Sequence, residues 1–165
     1  MIRPPYATEL EKLVDISLKH AEDAGYAGHD DVDRSYWKGQ LRQIMIQPDM
    51  QILVAEQQGE LVGYVIGSIC EKIWNGKRYG EVNFIYIDKN IRNKLLLDDL
   101  WNNIEQWFLE NNCMFMQASV MGYDKDFQQS EEFVQKACNY YTKRNGMTEV
   151  GYHFVKPIGR DEWAE

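Results

Sequence analysis

Glu81-Val82-Asn83-Phe84-Ile85-Tyr86-Ile87-Asp88, followed directly by Lys89-Asn90-Ile91-Arg92-Asn93-Lys94-Leu95-Leu96-Leu97, decides how this chain folds. The first half is an apolar, β-branched and aromatic run of strand length. The second half opens a helix. Leu97, Leu100, Trp101, Ile104, Trp107 and Phe108 recur at intervals of 3, 4, 7, 10 and 11 residues from Leu97, one face of a 3.6-residue period. Asp98 and Asp99 are expected in its first turn, where the helix dipole favours acids. A strand that runs into a helix leaves free backbone N–H groups and a positive dipole end at the junction, a natural phosphate site. Arg92 and Lys94 add positive charge there.

Working outward from the junction, Gly80 to Asp88 is preceded by two further strands, Gln51–Glu56 and Leu61–Cys70. Gln57-Gln58-Gly59-Glu60 supplies the first hairpin turn. Trp74-Asn75-Gly76-Lys77 supplies the second, with Asn-Gly as the signature of a type I′ turn with positive φ at both central residues. Before the strands lie two helices. The first spans Thr8 to about Glu22, with Thr8 and Glu11 as a capping box. The second is capped by Asp33 or Ser35 and stopped by Pro48. After the junction helix come a strand over Cys113–Met121, a helix capped by Ser130 and ended at Gly146, and a last strand over Met147–Lys156. The order α-α-β-β-β-α-β-α-β predicts an α/β (α+β) fold. Its central sheet is mixed and flanked by helices, and the strands on either side of the junction helix are parallel neighbours.

Length and composition frame this as one domain over residues 1–165, large enough to bury a core. No apolar run reaches the ~18 residues of a membrane span, and the N-terminal residues lack an apolar leader, so a cytoplasmic protein with no membrane partner is expected. The three cysteines (Cys70, Cys113, Cys138) have no CxxC spacing and sit in apolar segments, so they read as buried small hydrophobes. His20, His29 and His153 are isolated, and no metal is expected. A net charge of −8 speaks against nucleic acid and favours a cationic substrate.

In element order and in the junction residues the chain resembles the GCN5-related N-acetyltransferase (GNAT) superfamily. That family follows the corresponding strand with an Arg-x-x-Gly-x-Gly/Ala loop that wraps the pyrophosphate of acetyl-CoA. Here Asp88-Lys89-Asn90-Ile91-Arg92-Asn93-Lys94 is similar to the approach to that loop, and Leu100 matches a usual helix leucine. Leu61-Val62-Gly63-Tyr64-Val65 fits the family's Val-Gly strand. Ala137-Cys138-Asn139-Tyr140-Tyr141-Thr142-Lys143-Arg144-Asn145-Gly146-Met147 is similar to its A-x-x-F-Y-x-K-x-G-F segment, with one extra residue before Gly146. The chain departs from the pattern at Leu95 and Leu97, which stand where the family has its two glycines.

The resemblance implies acetyl-CoA as cosubstrate, with no metal. The diphosphate would lie on the amides of Arg92, Asn93, Lys94, Leu95, Leu96 and Leu97. The Ile85-Tyr86-Ile87 stretch would lie along the pantetheine arm, the main chain of Ile85 and Ile87 pairing with it like an added strand. It also implies Glu81 as the base that takes the amine proton, and Tyr141 as the acid that protonates the thiolate. The acceptor would be a small-molecule or peptide amine, and a homodimer is left open. The alternative is a non-catalytic module of the same fold, with the coenzyme pocket plugged by Leu95 or Leu97.

Overall fold

The computed structural model describes residues 1–24, 32–91, 94–119 and 131–148. Strands β1 (Ile2–Arg3), β2 (Met50–Gln57), β3 (Glu60–Glu71), β4 (Arg78–Ile87) and β5 (Met116–Ala118) form one sheet in that spatial order. Pairing is antiparallel from β1 through β4 and parallel between β4 and β5. Helices α1 (Leu10–Asp23) and α2 (Arg34–Ile44) pack on one face and α3 (Lys94–Glu110) on the other. Helix α4 (Glu131–Asn139) continues into a π-helical turn, Tyr140–Arg144. The mixed, helix-flanked sheet and the parallel pair around the junction helix are as the sequence predicts.

Both faces of the sheet are buried, so the strands read as continuous apolar runs. In β2, Ile52 and Val54 join the core under α1 and α2, while Leu53 and Ala55 join the core under α3. Helix α3 sits close to the sheet because of a glycine. A Cβ on Gly80 would meet the Phe108 ring at 2.4 Å, so only glycine lets that ring lie flat on β4. The helix ends in a Schellman motif. Cys113 N–H donates to Phe108 O at 3.0 Å and Asn112 N–H to Leu109 O at 3.0 Å, with Asn112 at φ 60°. Cys113 and Phe108 are both in the core, the apolar contact that accompanies this motif.

Several local expectations are corrected. Strand β1 was not anticipated, because two residues carry no readable period. It is held by Arg3, whose guanidinium donates to Glu9 at 2.8 Å and to Glu56 at 2.6 Å. The Arg3 hydrogen bond holds the Glu9 carboxyl down to about 2, and the two carboxylates raise Arg3 in turn. The Thr8–Glu11 capping box is absent. A 3-10 turn, Ala7–Glu9, precedes α1, and the Glu9 carboxylate accepts the Tyr6 N–H at 2.8 Å. Glu11 instead pairs with Arg34 and Lys38 of α2. Asp33, rather than Ser35, caps α2 by accepting from the N–H groups of Ser35 and Tyr36.

The second hairpin is not a two-residue type I′ turn. Gly76 has φ 63°, but Asn75 is not among the residues with positive φ. Asn75 uses its side chain to accept the Lys77 N–H, and the longer loop is closed by Lys72 N–H donating to Lys77 O at 2.9 Å. Asp98 and Asp99 fall in the second turn of α3, since the helix already begins at Lys94. Of the cysteines only Cys113 is buried, while Cys70 and Cys138 are half-buried. Ser130 and residues 149–156 of the last expected strand lie outside the described residues. No helix among the described residues is long and apolar enough to cross a membrane.

Candidate active site

The site is built where β4 outruns β5. The parallel pairing stops at Val82↔Ala118, while β4 continues to Ile87. On its other side, the register with β3 slips between Gly67↔Val82 and Ile66↔Phe84, leaving Asn83 as an extra residue. This bulge changes which way the strand turns its main chain. Gly80 donates its N–H to Phe115 O at 3.0 Å, so Gly80 and Val82 address β5. Asp88 donates to Val62 O at 2.9 Å, so Phe84 and Tyr86 address β3. Ile85 and Ile87 therefore turn their N–H and C=O groups to the edge that β5 has left, which carries no strand among the described residues. The side-chain oxygen Oδ1 of Asn83 is buried at the bulge without a hydrogen-bond partner.

A cavity of about 400 Å³ opens along this edge, within the range that holds small-molecule ligands. Ile85, Tyr86 and Ile87 form its floor. Lys94 and Leu97 from the start of α3, Lys136 and Ala137 from α4, and Tyr140 and Tyr141 from the π-turn form one side. The last turn of α1, with His20 and Asp23, and its C-cap Ala24 form the other. The turn out of β4 is set by Asp88, whose carboxylate accepts the Asn90 N–H at 2.9 Å and pairs with Lys19. The Lys19 hydrogen bond, and then that of the Asn90 N–H, hold the Asp88 carboxyl below its usual range.

Tyr141 packs against Trp101 at 5.2 Å between ring centroids, and burial, then Cys138, pushes its phenol up to about 12. Burial does the same to Tyr140, also to about 12. The π-turn accounts for the extra residue before Gly146, because an i→i+5 turn takes up one residue more than an α-turn. Gly146 has φ 64°, and Met147 N–H returns to Tyr141 O at 3.0 Å.

Of the residues singled out in the sequence, the structure brings Ile85, Tyr86, Ile87, Lys94, Leu97 and Tyr141 together around one cavity. Leu95 is 66% exposed and points away from the core, and Leu96 packs on the core beside Leu97. Arg92 and Asn93 lie outside the described residues, as do His29 to Asp31 and Tyr123 to Gln129. Glu81 is not brought to the cavity. It is half-buried further back on β4, paired across from Ser68, and its carboxylate accepts from the Cys70 thiol at 3.8 Å.

The sequence assigns His20 no role and does not single out Asp23, yet both line the cavity. A signal existed: His20 continues the apolar stripe of Leu10, Leu13, Val14 and Ser17, so a titratable ring was due to face the sheet. Its Nδ1 lies 2.7 Å from the Tyr64 hydroxyl, and its ring stacks on Tyr86 at 4.7 Å and 16°. Asp23 accepts from the Tyr86 hydroxyl at 2.7 Å and pairs with Lys89 at 2.7 Å.

A profile of the Acetyltransferase (GNAT) family matches residues 14–147, most of the chain. The chain belongs to the GNAT acetyltransferase family. Solved GNAT-like structures share the fold at low identity. The aminoglycoside 6'-N-acetyltransferase AAC(6')-IG of Acinetobacter haemolyticus superposes with a TM-score of 0.69 at 15% identity, over 96% of this chain and 99% of that one. A ribosomal-protein-alanine N-acetyltransferase of Brucella melitensis gives 0.67 at 14% identity, over 96% and 99%. A possible acetyltransferase of Clostridium difficile gives 0.72 at 15% identity, over 97% of each. No curated protein sequence matches the chain. The GNAT profile spans every element of the site from the middle of α1 to the residue after Gly146, so the cavity described above lies wholly within the acetyltransferase domain.

Proposed function

We infer that this acetyltransferase moves an acetyl group from acetyl-CoA to a primary amine. The observation that carries the reading is the main-chain edge of Ile85 and Ile87, which carries no strand among the described residues and opens onto a cavity walled by Tyr141. A pantetheine arm carries amide donors and acceptors in an extended chain, and an unpaired strand edge is their complement. The amides of residues 92–97 would take the diphosphate at the start of α3, with Lys94 and Lys136 adding positive charge. Leu95 is exposed and Leu97 lines the cavity, an arrangement that supports an open pocket over a plugged one.

Tyr141 is assigned the role of proton donor to the departing sulfur. A phenol held near 12 by burial keeps its proton at neutral pH and so is available as an acid. On the acceptor side the sequence points to Glu81, which stands outside the cavity lining and on this reading acts only through solvent. The acceptor is assigned as a small-molecule or peptide amine. Structural neighbours include an aminoglycoside acetyltransferase and a ribosomal-protein-alanine N-acetyltransferase, and the net charge of −8 favours approach of a cation.

The test is a panel of amines, containing an aminoglycoside, a polyamine and an alanyl peptide, incubated with acetyl-CoA and read by thiol release. Amine-dependent release is expected from at least one class. Binding of acetyl-CoA with no amine-dependent release would instead support the non-catalytic module.

A further inference from the structure

We propose that the end of the sheet opposite the cavity docks a second copy of this chain. Strand β4 starts at that end and finishes at the cavity, so the two surfaces lie a strand's length apart. Five large apolar side chains stand exposed there. Ile73 and Trp74 are at the tip of the β3–β4 hairpin, Leu109 is in the last turn of α3, and Met114 and Phe115 lead into β5. Ile73 is 93% exposed and Trp74 85%. A lone exposed apolar side chain is ordinary, whereas a group of them with two aromatic rings marks an interaction surface.

The hairpin and the helix end are joined into one surface. Met114 N–H donates to Arg78 O at 3.0 Å, and the Arg78 guanidinium donates to Asn111 O at 3.1 Å. The Phe115 ring stacks on Tyr79 at 5.3 Å and 3°, and Lys72 Nζ lies 4.7 Å from its centroid.

Charge decides the occupant. From Lys72 to Arg78 the hairpin carries three cations, Lys72, Lys77 and Arg78, and no acid. From Glu105 to Met116 the chain carries two acids, Glu105 and Glu110, and no cation. Lys77 and Glu105 are exposed and have no ion-pair partner among the described residues. Glu105 and Leu109 are four residues apart and so share one face of α3. A basic apolar lobe thus sits beside an acidic apolar lobe on the same chain. A two-fold contact needs such a pair, since residue i of one copy meets residue j of the other and j meets i. With the copies so related, Ile73 and Trp74 of one lie on Leu109 and Met114 of the other, and Lys77 lies beside Glu105, twice over. An anionic lipid surface would suit the basic lobe and repel the acidic one. A standard interface takes about 20–30 residues a side, more than these two lobes supply, so a dimer with a Kd in the micromolar range, roughly, is expected. The cavity lies at the other end of β4, so both copies keep it open.

The test is sedimentation velocity of the full chain from low to high micromolar protein. A monomer–dimer equilibrium is expected across that range. Trp74→Ser alters an exposed side chain and should keep the melting temperature of the dilute protein while raising the dimer Kd about tenfold or more. Lys77→Glu and Glu105→Lys should each raise it about threefold or more, and the double variant, with both charges exchanged, should recover the parent value. A chain that stays monomeric throughout overturns the proposal, and one that also floats with vesicles of anionic lipid gives the hairpin tip to a membrane instead. A dimer with the same Kd in Trp74→Ser and Leu109→Ser lies on another surface. Single charge variants that weaken the dimer without recovery in the double variant overturn the reciprocal pairing of hairpin and helix end.

Discussion

Tyr141 packs against Trp101 and is proposed as the acid, and the two roles separate on substitution. Tyr141→Phe keeps the ring against Trp101 and removes the hydroxyl. The chemical step is expected to slow by about 10²-fold or more while melting at neutral pH changes little, measured by thiol release and calorimetric scanning. The raised phenol also sets a pH dependence. Its folded value, about 12, lies above the ordinary 10, so the folded state holds a proton that the unfolded chain gives up first. Stability is intact below pH 10 and falls as pH rises from 10 towards 12, by up to about 3 kcal/mol at 1.36 kcal/mol per pH unit. Tyr140 acts in the same direction. Urea unfolding at pH 9 and pH 11 should show the loss, and Tyr141→Phe should reduce it. At this scale the proposal for Tyr141 starts from the sequence, because its segment has a pattern, and the structure places the residue on the cavity wall. His20 was legible only as a polar residue on an apolar stripe, and its partners Tyr64 and Tyr86 come from strands distant in sequence.

Among the elements, the start of α3 is where the sequence raises its sharpest doubt and the structure gives a specific answer. Leu95 is exposed, so Leu95→Gly removes no wall of the cavity. It is expected to leave the Kd for acetyl-CoA within about threefold and to lower stability by the 0.5–1 kcal/mol that glycine costs in a helix, roughly. Leu97 lines the cavity and packs on the core. Leu97→Gly is expected to weaken binding and to lower stability by about 2 kcal/mol or more. Titration calorimetry and urea unfolding on the two variants check the contrast, and tighter binding in Leu95→Gly would restore the view of the leucines as obstacles. The long helices and strands were legible because their periods repeat. The Asn83 bulge was not, since one extra residue inside an apolar run leaves the pattern unchanged to the eye. The π-turn was half legible: its extra residue shows as a mismatch in spacing, but the helix type that absorbs it depends on packing around Tyr140 and Tyr141.

For the whole molecule, the parallel pair β4–β5 and the bulge together make the site. One leaves an edge with no strand among the described residues, and the other turns Ile85 and Ile87 toward it. The order of elements predicts the pair, and the register that exposes those two residues emerges only in three dimensions. The central claim is that this edge and cavity receive acetyl-CoA. A ligand that binds only the folded state stabilises it by about 2.7 kcal/mol at a hundredfold excess over its Kd. For a domain of this length that corresponds to a rise in Tm of roughly 5–10 °C. The direct measurement is the melting curve of the full chain with and without millimolar acetyl-CoA. A rise of that order, reduced in Leu97→Gly and kept in Leu95→Gly, is the expected result. An unchanged Tm at millimolar acetyl-CoA contradicts the account.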